Sequence, residues 1–286
     1  MRIVAVVVAA FATLAVANDE NEASPQPFFA VPTLVQIRDI LAQLEAPIVS
    51  TLVQRFALPV NTRLYKGQPS TLEVYLASRE TLAAHNGRYS YGTLEYAYTL
   101  STITADKTTS RNPFPPGRFH QDTFLGNSNL TAFFTQTLVP MMNASTSPYF
   151  FHLSNSTQKA VPDPSRDDAA LSLDVTFLQL LSNRAHIGKI VAEAKFLGDP
   201  TTYTGLIKAK NATAIRTLLT NTTQEASVLA QADVAAIQLS TAWVASGALV
   251  PATFQTTIRA AAAKVFRNLI DITTEIEIQY LLSRFN

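Results

Sequence analysis

Residues 167–196, DDAALSLDVTFLQLLSNRAHIGKIVAEAKF, run for thirty positions without a proline and with one glycine, Gly188. Apolar residues recur in them at intervals of three and four, which predicts one long helix. The same pattern spreads outward from this stretch. Residues 35–58 place Ile37, Ile40, Leu41, Leu44, Ile48 and Leu52 at helical spacing, with Thr33 in position to cap. Residues 72–85 form a second amphipathic segment and 130–142 a short one. Short helices are expected over 199–219, and two more long ones over 221–246 and 251–284. Alternation with a period of two is rare, so the expected fold is all-α: a single-domain helical bundle with no sheet. Two stretches interrupt the pattern. Residues 90–116 are rich in Tyr, Thr and Pro and read as an extended loop or insertion, and 143–164 are polar.

The first residues have the form of an export signal. Arg2 is followed by an uncharged apolar run from Ile3 to Leu14 and then by Ala15-Val16-Ala17, a small-x-small cleavage pattern. The expected division is a signal peptide at 1–17, a disordered lead-in at 18–30 and one domain at 31–286. The leader is short for a transmembrane span, and no later run of unbroken apolar residues is long enough for one. A formal net charge of +1 argues against a nucleic-acid partner and against electrostatic membrane binding. There is no cysteine, which excludes thiol catalysis and thiolate metal sites, and the four histidines (85, 120, 152 and 186) are scattered. Neither metal nor cofactor is expected. Glycosylation sequons at Asn129, Asn143, Asn155, Asn211 and Asn221 fit a eukaryotic secretory route.

Charged residues make up only 15% of the chain, so those set among apolar helix positions carry information. Arg184 and Lys195 are eleven apart, close to three turns, and share a face. Asn221 and Glu225, and Thr273 and Glu277, are paired at i, i+4. Glu277 sits between Ile276 and Ile278 in an otherwise apolar run. Arg38 and Glu45 are two turns apart on one face. Taken singly, each of these reads as a solvated position or a structural ion pair. Taken together, on helices that can face one another, they suggest a bundle pocket for an anion of the dicarboxylate kind, since arginine's planar fork bonds both oxygens of a carboxylate.

Four blocks carry a family resemblance: IRDILAQLE (37–45), SNRAHIGKIVAEAKF (182–196) followed by YTGLIKAK (203–210), the stretch through Asn221 and Glu225, and ITTEIEIQYLLSRF (272–285). In content and order they resemble the eukaryotic, yeast-type, all-helical chorismate mutases. The likeness is good over 34–89 and 167–286 and poor between about 90 and 165. The resemblance implies an isomerase that converts chorismate to prephenate by a pericyclic rearrangement, with no cofactor. It implies that Arg38 and Arg184 hold the two substrate carboxylates, that Asn221 and Thr273 add orienting hydrogen bonds, and that Glu225 accepts from the ring hydroxyl. Lys195 and a protonated Glu277 would donate to the ether oxygen, with Glu45 behind Arg184. It also implies a homodimer. The apolar faces of 35–58 and 171–181 are possible dimer surfaces, or else core.

Where regulated relatives use paired arginines and a Gly-Ser element to bind tryptophan and tyrosine, this chain has Gly87-Arg88 and Asp168-Ala169. Loss of that response is therefore expected. With an export signal, the chain is similar to the secreted chorismate mutases of plant-associated fungi. Those act as virulence effectors that enter host cytoplasm and lower the chorismate available for salicylate, and the rewritten 90–165 region is the candidate for contacting a host protein or for hiding the surface from one. The alternative is a non-catalytic secreted binding protein on the same scaffold.

Overall fold

The computed structural model describes residues 31–89, 95–99, 114, 117–145, 164–248 and 250–285. The expected signal peptide and lead-in, Asn155 and most of the two interrupting stretches lie outside the described residues. In chain order the helices are α1 (Leu34–Phe56), α2 (Thr71–His85), α3, α4 (Pro164–Gly198), α5 (Pro200–Lys208), α6 (Ala212–Leu219), α7 (Thr222–Ala245) and α8 (Phe254–Leu282). Here α3 runs Asn127–Phe133, passes through a π turn at Phe134–Leu138 and continues as Val139–Ser145, longer at both ends than the apolar pattern indicated. A 3₁₀ turn, Thr62–Tyr65, follows α1. Among the described residues there is no strand, only an isolated bridge between Gly67 and Ser70.

The helices start where side chains can satisfy free backbone N–H groups. Thr33 and Gln36 form a capping box at α1, as do Ser70 and Glu73 at α2. Asp199, Asn211 and Asn221 cap α5, α6 and α7. Short α5 and α6 thus follow α4 directly, and the chain enters α7 at Asn221.

Helices α1, α4, α7 and α8 pack on one another: α4 lies against α1 and α8, and α7 against the same two. Ile37, Ile40, Leu44, Ile48 and Leu52 of α1 and Leu171, Leu178 and Leu181 of α4 are all buried in the shared core. Of the two alternatives the sequence left for these faces, dimer surface or core, they are core. α7 is long and apolar enough on average to cross a membrane, which the search for unbroken apolar runs missed. It is nonetheless amphipathic, burying Val228, Ala232, Ala236 and Ser240 against the bundle.

Several buried charges that the sequence reading did not single out are structural. Arg55 Nε donates to Asp174 Oδ1 at 2.6 Å and Tyr65 donates to the other oxygen, joining α1 to α4. Lys189 pairs with Asp122 at 2.8 Å. Glu80 accepts from the N–H groups of Tyr98 and Thr99 and so holds the 95–99 segment against α2. Each of these is satisfied by its partners, the usual condition for a buried charge.

Candidate active site

The pocket lies where α1, α4, α7 and α8 converge, and it is lined by Arg38, Arg184, Lys195, Asn221, Glu225, Thr273 and Glu277. All seven first-rank residues proposed from sequence thus come from four helices to one cavity of ≈ 160 Å³. Leu34, Ile37, Leu41, Val191, Val228 and Ile270 supply its apolar wall. Glu45 does not line the pocket; it is buried behind Arg184 and acts on it through charge.

Arg184 is buried, and its Nε has no hydrogen-bond partner in the protein. Thr273 Oγ1, across the cavity, is likewise buried and unpartnered. A donor left unsatisfied in this way costs free energy on the order of 1–3 kcal/mol, which a bound ligand recovers. Burial weakens the charged form of Arg184, and Glu45 and Glu277 offset that effect. Burial also raises the Glu45 carboxyl, against the pull of Arg184.

Glu277 is the acid the sequence marked as buried. Desolvation pushes it up to about 7, opposed by Lys195 and Arg184. Its protonated form, which can donate, is thereby favoured well above the usual carboxylate range. Lys195 Nζ stands 3.8 Å from Glu277 Oε2 and donates instead to the Leu219 carbonyl at 2.7 Å. That carbonyl, at the end of α6, fixes the ammonium at the pocket edge, and sequence gave no sign of it.

Arg38 is exposed at the pocket mouth, and Glu225 faces Arg267 at 3.7 Å. Asn221 lies at the rim of the pocket. It is exposed as the N-cap of α7, where its Oδ1 accepts from Gln224 N at 3.0 Å. The cap role explains why an asparagine sits at the rim, and it leaves the side-chain N–H₂ directed away from its own helix bond. Gln224 and Gly188 also line the cavity and were not proposed from sequence. The signal available for Gly188 was its isolation in a long helix between Arg184 and Lys195.

Three cations face two carboxylates here, one of them close to neutral, so the site favours an anion. Its donors are spread over four rigid helices, an arrangement suited to holding one conformation of a ligand. Among the described residues no cluster of His, Asp and Glu could hold a metal ion.

No protein-family model matches the chain. Curated relatives do. The chain is 27% identical over 270 residues to the chorismate mutase of Trichoderma parareesei, covering 88% of this chain and 92% of that one. It is 28% identical over 268 residues to the chorismate mutase of Saccharomyces cerevisiae, covering 89% and 96%. Among solved structures, a chorismate mutase of Candida albicans in complex with L-Trp superposes with a TM-score of 0.67 at 25% identity, over 89% of this chain and 92% of that one. Fold and relatives together show an all-helical enzyme of the chorismate mutase kind. In sequence and fold the chain is similar to the eukaryotic, yeast-type chorismate mutases.

Proposed function

We propose that this protein is an exported chorismate mutase that rearranges chorismate to prephenate in the α1/α4/α7/α8 pocket. The observation that carries the reading is the pair of buried, unpartnered polar atoms, Arg184 Nε and Thr273 Oγ1, in a cavity that also holds Arg38, Lys195 and a near-neutral Glu277. The reaction breaks one C–O ether bond and forms one C–C bond within a single molecule, so no nucleophile or cofactor is required. Arg38 and Arg184 hold the two carboxylates, and Asn221, Glu225 and Thr273 fix the ring, so that the reacting carbons are held together. Lys195, held by the Leu219 carbonyl, and protonated Glu277 donate to the ether oxygen as negative charge grows on it. Glu45 supports Arg184 through its charge.

Export rests on the leader at 1–17 and the sequons, and an effector role in a plant host rests on the likeness to secreted fungal mutases. In that role the enzyme would draw down host chorismate and with it the supply for salicylate. A homodimer is the family expectation, formed through surfaces other than the buried faces of α1 and α4. Independence from tryptophan and tyrosine is part of the same proposal, supported by the local pairing of Arg88 with Glu95.

The test is chorismate disappearance, followed by absorbance, with purified protein beside Lys195→Ala. Turnover by wild type that falls by roughly 10²–10³ in the variant is expected. A well-folded wild type with no turnover would instead favour a non-catalytic binding protein on this scaffold.

A further inference from the structure

We infer that Gly188 is a positioning residue for the reaction: its missing side chain sets the α4–α8 separation on which the pocket's donor geometry depends. This rests on the mutase reading above and extends it to a residue that touches no reacting atom through a functional group.

Glycine is among the poorest helix formers, and Gly188 stands mid-helix in α4, one turn beyond Arg184 and about two turns before Lys195. Local structure does not call for it: φ there is ordinary, unlike the positive values at Gly67, Gly87, Gly117 and Gly247. What calls for it is α8. A Cβ built on Gly188 would lie 2.9 Å from Thr273 Cγ2, 3.1 Å from the Thr273 backbone oxygen and 3.3 Å from Glu277 Cγ. Gly126 also abuts α8, but a Cβ there would meet only side-chain atoms of Ile272 and Ile276, at 2.8 and 2.9 Å. Those are buried, β-branched chains that are themselves stiff in a helix, but they are not backbone. At Gly188 one obstacle is the α8 backbone itself, which yields only by moving the helix.

The two residues contacted are the two pocket donors on α8. The donors on α4 flank the same contact, so the separation that Gly188 permits fixes how Arg184 and Lys195 stand relative to Thr273 and Glu277. The 3.8 Å gap between Lys195 Nζ and Glu277 Oε2 is set across it. A wedge of a few tenths of an ångström to one ångström changes every distance in that quartet together, and misplacement on this scale costs on the order of 10²-fold in rate.

The experiment is a double-mutant cycle on the purified protein: wild type, Gly188→Ala, Thr273→Ser and the double variant. Thr273→Ser keeps the hydroxyl and removes the Cγ2 that the new methyl would strike. Gly205→Ala, where a Cβ has open space, controls for helix propensity. The expected result is that Gly188→Ala stays folded by circular dichroism and thermal melting, loses on the order of 10²-fold in kcat, and moves the alkaline midpoint of its rate profile. In the Thr273→Ser background part of that loss is recovered, because the nearest contact, Cγ2 at 2.9 Å, is gone while the backbone oxygen at 3.1 Å remains. A kcat within twofold of wild type overturns the proposal while leaving the mutase reading intact. So does an equal loss in both backgrounds. Wild type that does not turn over chorismate overturns the mutase reading instead. The spacing is then read from the Glu277 carboxyl by ¹³C NMR: a titration midpoint unmoved by Gly188→Ala overturns it.

Discussion

Lys195 and Glu277 approach to 3.8 Å without forming a hydrogen bond, because the ammonium donates to the Leu219 carbonyl and the carboxyl is desolvated. A close ion pair would have locked Glu277 in its charged form. Held at this distance, the lysine only moderates the effect of burial, and the acid stays near neutrality. The pocket thus keeps two separate donors in place of a self-neutralised pair.

The pH dependence follows from that arrangement. Glu277 donates only when protonated, and its proton is lost as pH rises. Since kcat/KM reports the free enzyme, its alkaline limb is expected to fall with a midpoint of about 7. Glu277→Gln, which keeps a donor at all pH values, should flatten that limb. The same shift acts on stability. A carboxyl raised from 4.5 to about 7 on folding contributes stability below its unfolded value, and that contribution is lost as pH climbs to the folded one. The loss is roughly 3 kcal/mol between those limits and constant above them. Chemical denaturation of wild type and Glu277→Gln at pH 4.5 and pH 8 checks it: the variant's relative stability should grow by about that amount. Parallel alkaline limbs for the two proteins would remove Glu277 from the proton-donor role.

Thr273→Val separates binding from folding. The Thr273 hydroxyl is buried with no partner, so replacing it by a methyl removes a desolvated polar atom at nearly constant volume. The melting temperature should hold or rise. If the hydroxyl's partner is the substrate, kcat/KM should fall by about tenfold, the worth of one neutral hydrogen bond. A variant both less stable and fully active would mean that the hydroxyl serves the fold.

Much of this was legible in the chain because helical periodicity exposes which residues share a face. The pairs Arg184/Lys195, Asn221/Glu225 and Thr273/Glu277 were each assigned to one side of one helix, and all six line the pocket. Periodicity does not say which helices face each other, and for that the family likeness was needed. Properties that depend on distance between helices stayed hidden: the Lys195–Leu219 bond, the Gly188 contact and the Arg55–Asp174 pair. The exposure of Asn221 follows from its two local roles, helix cap and pocket rim, which both leave it at the surface. The π turn in α3 left no mark, since Phe134 and Leu138 fit an ordinary apolar helix as well.

Asn221 also opens a sequon, and its exposure removes burial as protection against a glycan. A glycan on it would stand in the pocket mouth. Protein made through a secretory host should therefore have activity per mole that tracks the fraction unmodified at Asn221, measured by mass spectrometry of that peptide. Thr223→Ala abolishes the acceptor motif without touching Asn221, and should return the secreted protein to the specific activity of bacterially made material. Full activity in a fully glycosylated sample would exclude Asn221 from the substrate site.

Arg88 has a different fate from the arginine pair it aligns with. Its guanidinium forks onto Glu95, with Nε 3.2 Å from both carboxylate oxygens, and Asn183 Nδ2 donates to the same carboxylate at 2.9 Å. Asp168, where a Gly-Ser element would be, accepts from the Tyr75 hydroxyl. An amino-acid effector would have to break the Arg88–Glu95 pair and bring its own carboxylate near Asp168, an uncompensated like charge. If that pairing blocks the effector site, millimolar tryptophan or tyrosine should change the rate by less than about twofold. Glu95→Gln tests the physical reason: it frees the guanidinium, and if pairing alone suppresses binding, the variant gains a measurable response to tryptophan. A several-fold response in wild type would show that the effector site does not use these residues.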